Sequence, residues 1–212
     1  MTFTNFTFLP AQLSVLAFLG AGALTAALLA SAAIAALARR AALARTLGLG
    51  GAALPASYVL VLLAAGAATP ARTVPRGAEK FFCEADCHVG YSVVDVREAL
   101  GSGGRRVIVT LRSHFDEKTT APWRGNGPLT PNPRSAALVD ALGRRFAAEP
   151  AGVRALEPPL RPGESYATDL VFHVPAGAES LRLSLVESEA FFRLLLGHER
   201  APFAGETSLA LR

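Results

Sequence analysis

The first acidic residue of this chain is Glu79, and the only charges in the first 71 residues are Arg39, Arg40 and Arg45. Two uncharged, apolar stretches result, and runs of this kind fold only where the backbone satisfies itself and the side chains meet lipid or a large core. The first contains residues 13–37, LSVLAFLGAGALTAALLASAAIAAL, which exceeds the roughly 20 apolar residues that cross a bilayer. The second, 46–71, contains LGLGGAALPASYVLVLLAAGAA, long enough to cross although Gly48, Gly50 and Gly51 weaken it and Pro55 is predicted to kink it. Residues 1–71 therefore read as a transmembrane hairpin with helices over about 11–38 and 46–69. The arginines lie between the two runs. The positive-inside rule then puts that bend in the cytoplasm, and both termini and everything after residue 72 on the extracytoplasmic side of the plasma (inner) membrane. A cleaved signal peptide is the competing reading, because Ala-x-Ala triplets abound, but the positive n-region is missing and the apolar run is too long. Gly20, Gly22, Ala23, Ala26, Ala27 and Ala30 either let helices approach closely or are Ala-rich filler.

Charge narrows the choice of partner. Removing the three hairpin arginines from the formal net charge of +4 leaves about +1 for residues 72–212. The chain after the hairpin is thus nearly neutral, with no basic stripe interleaved with aromatics, and a nucleic-acid partner is not expected. The preference for arginine over the two lysines, Lys80 and Lys118, fits the codon usage of a GC-rich genome rather than a function.

Residues 72–80 (RTVPRGAEK) read as a polar linker, after which helical runs give way to short alternating stretches punctuated by Gly and Pro. Strands are predicted at 91–98, 106–115, 136–140, 144–147, 165–174, 181–186 and 207–211. About seven short strands over 81–212 make an all-β, antiparallel sandwich the expected fold of this domain. Gly101-Ser102-Gly103-Gly104 separates the first two strands, and Ala141-Leu142-Gly143 turns a predicted hairpin running from Leu138 to Phe146. Residues 136–148 also carry helical spacing, but Gly143 in the middle favours strand. The segment 116–134 holds too many prolines and glycines for a regular element and reads as an ordered or binding loop.

The order of features from Tyr91 to Val186 resembles a group of bacterial exported domains with an immunoglobulin-like sandwich, the group that includes a mycobacterial immunoprotective extracellular antigen. The signals are a V-x-V-T-L strand within 106–111, LVDxxGRRF within 138–146, LxPGES over 160–165 and VFxVP over 171–175. This resemblance implies an antiparallel immunoglobulin-like β-sandwich with a binding or structural role outside the cytoplasm, and it carries no catalytic residue across. Two parts depart from the group's pattern: the cysteine-containing start and the segment FFRLLLGHERAPF, 191–203.

Both cysteines lie in Cys83-Glu84-Ala85-Asp86-Cys87-His88. Outside the cytoplasm, two cysteines four apart are most simply oxidised to each other, and a helical turn would hold their Cα atoms within the window a disulfide tolerates. So short a loop gains little chain entropy, however, which leaves room for other chemistry. Two thiolates and an imidazole suit copper or zinc, with Cys83, Cys87, His88 and, from a distance in sequence, His198 as the candidate ligands. The hexapeptide is similar to the binuclear copper motif of cytochrome oxidase subunit two, which also follows a two-helix hairpin on an extracytoplasmic β-domain. That motif separates its histidine from the second cysteine by three residues and adds a methionine, whereas His88 directly follows Cys87 and Met1 is the sole methionine. A stretched haem c attachment motif is a third reading. His114 and His173 lie on predicted strands, while His198 follows the apolar run FFRLLL.

Gly-x-Ser-x-Gly, the phosphate-binding loop and His-Glu-x-x-His are absent from the sequence, so it offers no signature of a hydrolase, NTPase or zinc protease. Two functions remain open. One is a membrane-anchored, extracytoplasmic binding or accessory protein without catalytic activity of its own, contacting a protein partner in the membrane or cell envelope through Trp123, Phe191, Phe192 and Phe203. The other is a copper- or other metal-binding redox accessory of a respiratory complex, built on Cys83, Cys87 and His88.

Overall fold

The computed structural model describes residues 3–7, 9–83, 87–101, 104–119, 125–133, 135–187 and 190–212. The chain divides into two compact units. One comprises Met1–Asn5, Ala71–Glu189 and Glu206–Arg212 and carries the strands. The other comprises Phe6–Pro70 and Ala190–Gly205 and carries two long helices.

The first unit is built of two five-stranded sheets among the described residues. With strands numbered in chain order, one sheet runs β1 (Phe3–Thr4), β3 (Lys80–Phe82), β4 (Val89–Gly101), β5 (Gly104–Phe115) and β8 (Ser165–Val174). The other runs β2 (Arg72–Val74), β10 (Thr207–Ala210), β9 (Arg182–Val186), β6 (Ser135–Val139) and β7 (Arg145–Ala147). Pairing is antiparallel except at two places, where β1 lies parallel to β3 and β2 parallel to β10.

Alternation writes the core. On β5, Val107, Val109, Leu111 and Phe115 point inward, and on β8 Leu170, Phe172 and Val174 do so, meeting Leu138, Leu183, Leu185 and Leu209 of the second sheet. Each fully enclosed aliphatic or aromatic side chain of this kind contributes about 1.5–3 kcal/mol through the apolar area it removes from water. The sequence Val93-Val94-Asp95-Val96 breaks strict alternation, and a β-bulge between Val93 and Asp95 repairs it: Val93 and Val96 both face the core while Val94 is exposed. The β4–β5 hairpin closes at Gly104, where a side chain would strike the Val174 carbonyl, so glycine is required there.

All seven strands predicted from alternation are present, including the hairpin at Ala141-Leu142-Gly143, which joins β6 to β7 with Leu138 opposite Phe146. Its turn is fixed by Asp140, a buried carboxylate that accepts N–H bonds from Leu142 and Arg144 and a 2.6 Å bond from the Arg144 Nε. Desolvation works to raise the Asp140 pKa, but those hydrogen bonds and the Arg144 charge outweigh it and hold the carboxyl below its ordinary value. Three further strands, β1, β2 and β3, were not foreseen. The expected linker over 72–80 is instead part of the sandwich: Arg72–Val74 is β2, and Lys80 at the start of β3 is fully buried. The physical reason is pairing to distant partners, since β2 acquires its hydrogen bonds from β10 rather than from local propensity.

In the second unit, α1 (Ala11–Leu37) and α2 (Ala41–Ala67) are 27 residues each, joined by a bend in which Arg39 adopts φ 58°. At 1.5 Å per residue each helix is about 40 Å long, enough to cross a bilayer core of about 30 Å. Both are apolar on all sides, with Leu16, Leu24, Ile34, Leu49 and Leu60 exposed, and α2 continues as helix through Pro55. Only a few residues, among them Ser14, Ala35, Gly51 and Leu62, are buried within the protein.

Against these helices packs the segment Ala190–Gly205, which opens with a 3-10 turn at Ala190–Leu194. The Ser14 hydroxyl donates to the Leu196 carbonyl at 2.7 Å, and the Tyr58 hydroxyl donates to the Leu194 carbonyl at 2.7 Å. Phe18 meets Tyr58 and Phe191 edge-on. The Thr7 and Gly205 amides close the two flanks by donating to Gly197 and Thr69 carbonyls. Gly66 admits the Pro202 carbonyl so closely that any side chain at that position would overlap it.

Candidate functional site

Cys83, directly after β3, and Cys87, before β4, lie at disulfide distance with Cα atoms 4.2 Å apart. The backbone of Cys83 is held by Asn5: its N–H donates to Asn5 Oδ1 at 2.9 Å, and Asn5 Nδ2 donates back to the Cys83 carbonyl at 3.2 Å. The same amide lies 3.3 and 3.4 Å from the two carboxylate oxygens of Glu187, so one buried side chain ties three chain segments together. Beside it, Lys80 donates from Nζ to the Thr207 carbonyl at 2.6 Å and sits 4.5 Å above the Phe82 ring. Arg72 reaches the Thr4 carbonyl and the Thr207 hydroxyl. These buried and part-buried polar groups join β1, β2, β3 and β10.

His88 is buried on the other side of the disulfide. Its Nδ1 lies 2.6 Å from the Thr119 hydroxyl, and its ring stacks on Phe115 at 5.3 Å. Because that hydroxyl gives its single proton to the Asp116 carbonyl, the hydrogen-bond network assigns the proton between the two side chains to His88 Nδ1. The histidine anchors the start of the 116–134 segment, whose described portion is further held by the paired amides and carbonyls of Leu129 and Leu160 and by the Asn132 N–H donating to the Tyr91 hydroxyl. Trp123, and the carboxylates Glu84 and Asp86 between the cysteines, lie outside the described residues.

His198 belongs to the helical unit. Its ring is buried between Phe192, stacked at 4.9 Å, and Phe6, edge-on at 4.8 Å, and its Nδ1 accepts the Arg200 N–H at 3.0 Å. Phe192, expected to be a partner contact, is buried in this aromatic stack. Phe191 stands at the edge of the same cluster, and Phe203, in a left-handed turn at φ 67°, remains exposed. His114 pairs with Glu79 at 3.0 Å and His173 with Glu149 at 2.9 Å.

These surroundings bear on the copper or zinc expectation. In the disulfide form Cys83 and Cys87 present no thiolate, which is the species that ligates metal. Among the described residues, no three His, Cys, Asp or Glu side chains are grouped to hold a metal ion. The arrangement can rigidify: it fixes the entry of β4, the start of the long loop and the N-terminal strand around one covalent clip. No protein family, no curated protein and no solved structure matches this chain.

Proposed function

We propose that this protein is a membrane-anchored binding or accessory protein of the plasma membrane whose immunoglobulin-like sandwich works on the extracytoplasmic side without catalytic activity of its own. The observation that carries the reading is the hairpin itself: two 27-residue helices, apolar on all sides, with Arg39 and Arg40 at the bend and Arg45 in the first turns of α2. Short cytoplasmic bends carry arginine, which supports the opposite ends of both helices, and the strands that continue from them, lying on the other side. A disulfide between Cys83 and Cys87 fits an oxidising compartment. Among the described residues, Phe203, beside the turn that meets α2 at Gly66, is an aromatic well exposed for contact with a lipid or protein.

Labelling with a membrane-impermeant maleimide tests this. In a Cys83→Ser, Cys87→Ser background, Leu142→Cys in the exposed β6–β7 turn should label in intact cells. Leu37→Cys at the bend should label only after permeabilisation. The reverse pattern would overturn the assigned side, and release of the chain from membranes by alkaline carbonate would overturn the anchor.

A further inference from the structure

One end of the sandwich opens into a cleft of about 1010 Å³ between the sheets, contained wholly within the strand-bearing unit. Its lining has an uneven charge: four guanidinium groups, Arg76, Arg105, Arg182 and Arg212, stand against two carboxylates, Glu98 and Glu179. Its floor is apolar, with Val96, Leu181 and Leu211. Clefts of this size that combine an apolar floor with a few convergent charges are the usual form of small-molecule sites.

The four arginines are not equivalent. Arg105 is mostly enclosed and fixed, donating to Glu98 at 2.9 Å and to the Ala178 carbonyl. Arg76 is held by the Val94 carbonyl and by Asp95, a carboxylate outside the lining. Arg212 is 88% exposed and touches Glu98 only at 3.6 Å. Arg182, on β9, has no ion-pair partner among the described residues and is only partly exposed. Two guanidinium groups are thus anchored as a preformed wall, Arg182 keeps its planar N–H fork available, and Arg212 is held only by the loose contact to Glu98. Ser180, on the rim, is held at φ 53°, a left-handed conformation that a non-glycine residue adopts at a cost and that the fold must stabilise elsewhere.

We propose that this cleft is a binding site for a small oxyanion, a phosphate or carboxylate carried on a compact apolar body. The head group would lie between Arg182 and Arg212, and the body over Val96, Leu181 and Leu211. Guanidinium forks match both oxyanions in a bidentate way, and Arg105, paired with Glu98, holds that carboxylate in place. Glu98 sets the selectivity: it pairs with Arg105 at 2.9 Å and lies 3.6 Å from Arg212, so an incoming oxyanion pairs with the unoccupied Arg182 and displaces only the looser contact at Arg212. The site does not depend on which side of the membrane the sandwich occupies.

Isothermal titration of the full chain in zwitterionic phosphatidylcholine nanodiscs tests the proposal, with phenyl phosphate and phenylacetate as the two head-group arms and benzyl alcohol as the neutral control. Saturable binding of at least one anion is expected, with benzyl alcohol silent and affinity falling as salt rises. Arg182→Gln and Arg212→Gln, both at accessible positions, should each weaken binding about tenfold, the loss of one charge-assisted pair. The arm that binds tells phosphate from carboxylate. Failure of both anions to bind, or binding undiminished in the Arg182→Gln, Arg212→Gln double variant whose thermal unfolding matches the parent, would overturn it.

Discussion

In the sandwich, Leu138, Phe172 and Leu183 are completely enclosed by neighbours from the two sheets, whereas Leu16, Leu24 and Ile34 of α1 are each more than half exposed. The residue types are the same and the burial is opposite. The sandwich is therefore stabilised by its own interior, where apolar area leaves water on folding. The hairpin, whose backbone is hydrogen-bonded mainly within each helix, leaves its apolar sides uncovered by its own chain, the state an apolar solvent would suit. A hydrophobic residue in this protein thus has two distinct meanings, set by whether its neighbours alternate with polar residues or continue as an unbroken run.

The sharpest way to break that contrast is a matched truncation. Leu138→Ala should destabilise the sandwich by about 3 kcal/mol in urea unfolding followed by Trp123 fluorescence, because it removes enclosed methyl groups and leaves a cavity. Leu16→Ala, on the exposed side of α1, should leave the same midpoint unchanged; an equal shift from both would show that the two regions share one core. Next in size is the clip. Cys83→Ala with Cys87→Ala should cost on the order of 2 kcal/mol, the chain-entropy value for a loop this short, measured in the same way.

Within the hairpin, Gly66→Leu places a side chain where the Pro202 carbonyl lies and should dislodge the Ala190–Gly205 segment. Trypsin cleavage after Arg193 and Arg200 should then run at least about tenfold faster in nanodiscs, while sandwich stability moves by less than about 0.5 kcal/mol. The smallest effect is acid sensitivity. The pKa of Asp140 is lowered from 3.8 in the fold, so folding favours its charged form; that stabilisation is present above the unfolded value and is lost as pH falls through the folded one. Asp169, whose carboxylate accepts from Thr110 and Arg97, acts in the same direction. Asp140→Asn should accordingly lower the thermal midpoint most at neutral pH, with the difference from the parent shrinking in acid well below pH 3.8.

Strands whose inward residues alternate were legible in the sequence, because β5 and β8 carry their period in Val107, Val109, Leu111 and in Leu170, Phe172, Val174. The long helices were legible from the missing charges. The strands β1 and β2 were not, since two residues beside a hydrophobic run and three in a polar stretch have no periodicity of their own and become strands only by pairing with β3 and β10. The segment 191–203 stood out by composition, yet its attachment depends on Ser14, Tyr58 and Gly66, single small or polar residues inside otherwise uniform helices. The arginine-lined cleft was invisible: Arg76, Arg105, Arg182 and Arg212 are dispersed along the chain and converge only when both sheets form.

The parallel pairing of β2 with β10 has a consequence for how the protein is made. Thr207 lies opposite Arg72, so the edge that begins immediately after the hairpin must wait for the final strand before it finds its partner. At about 5–20 residues per second, the intervening synthesis takes on the order of ten seconds, during which both long helices are already made while Arg72–Val74 lacks its partner. Completion of both helices therefore precedes closure of the sheet. A nascent chain stalled before residue 207 would carry two finished helices and an open β-edge, the kind of template on which other chains pair.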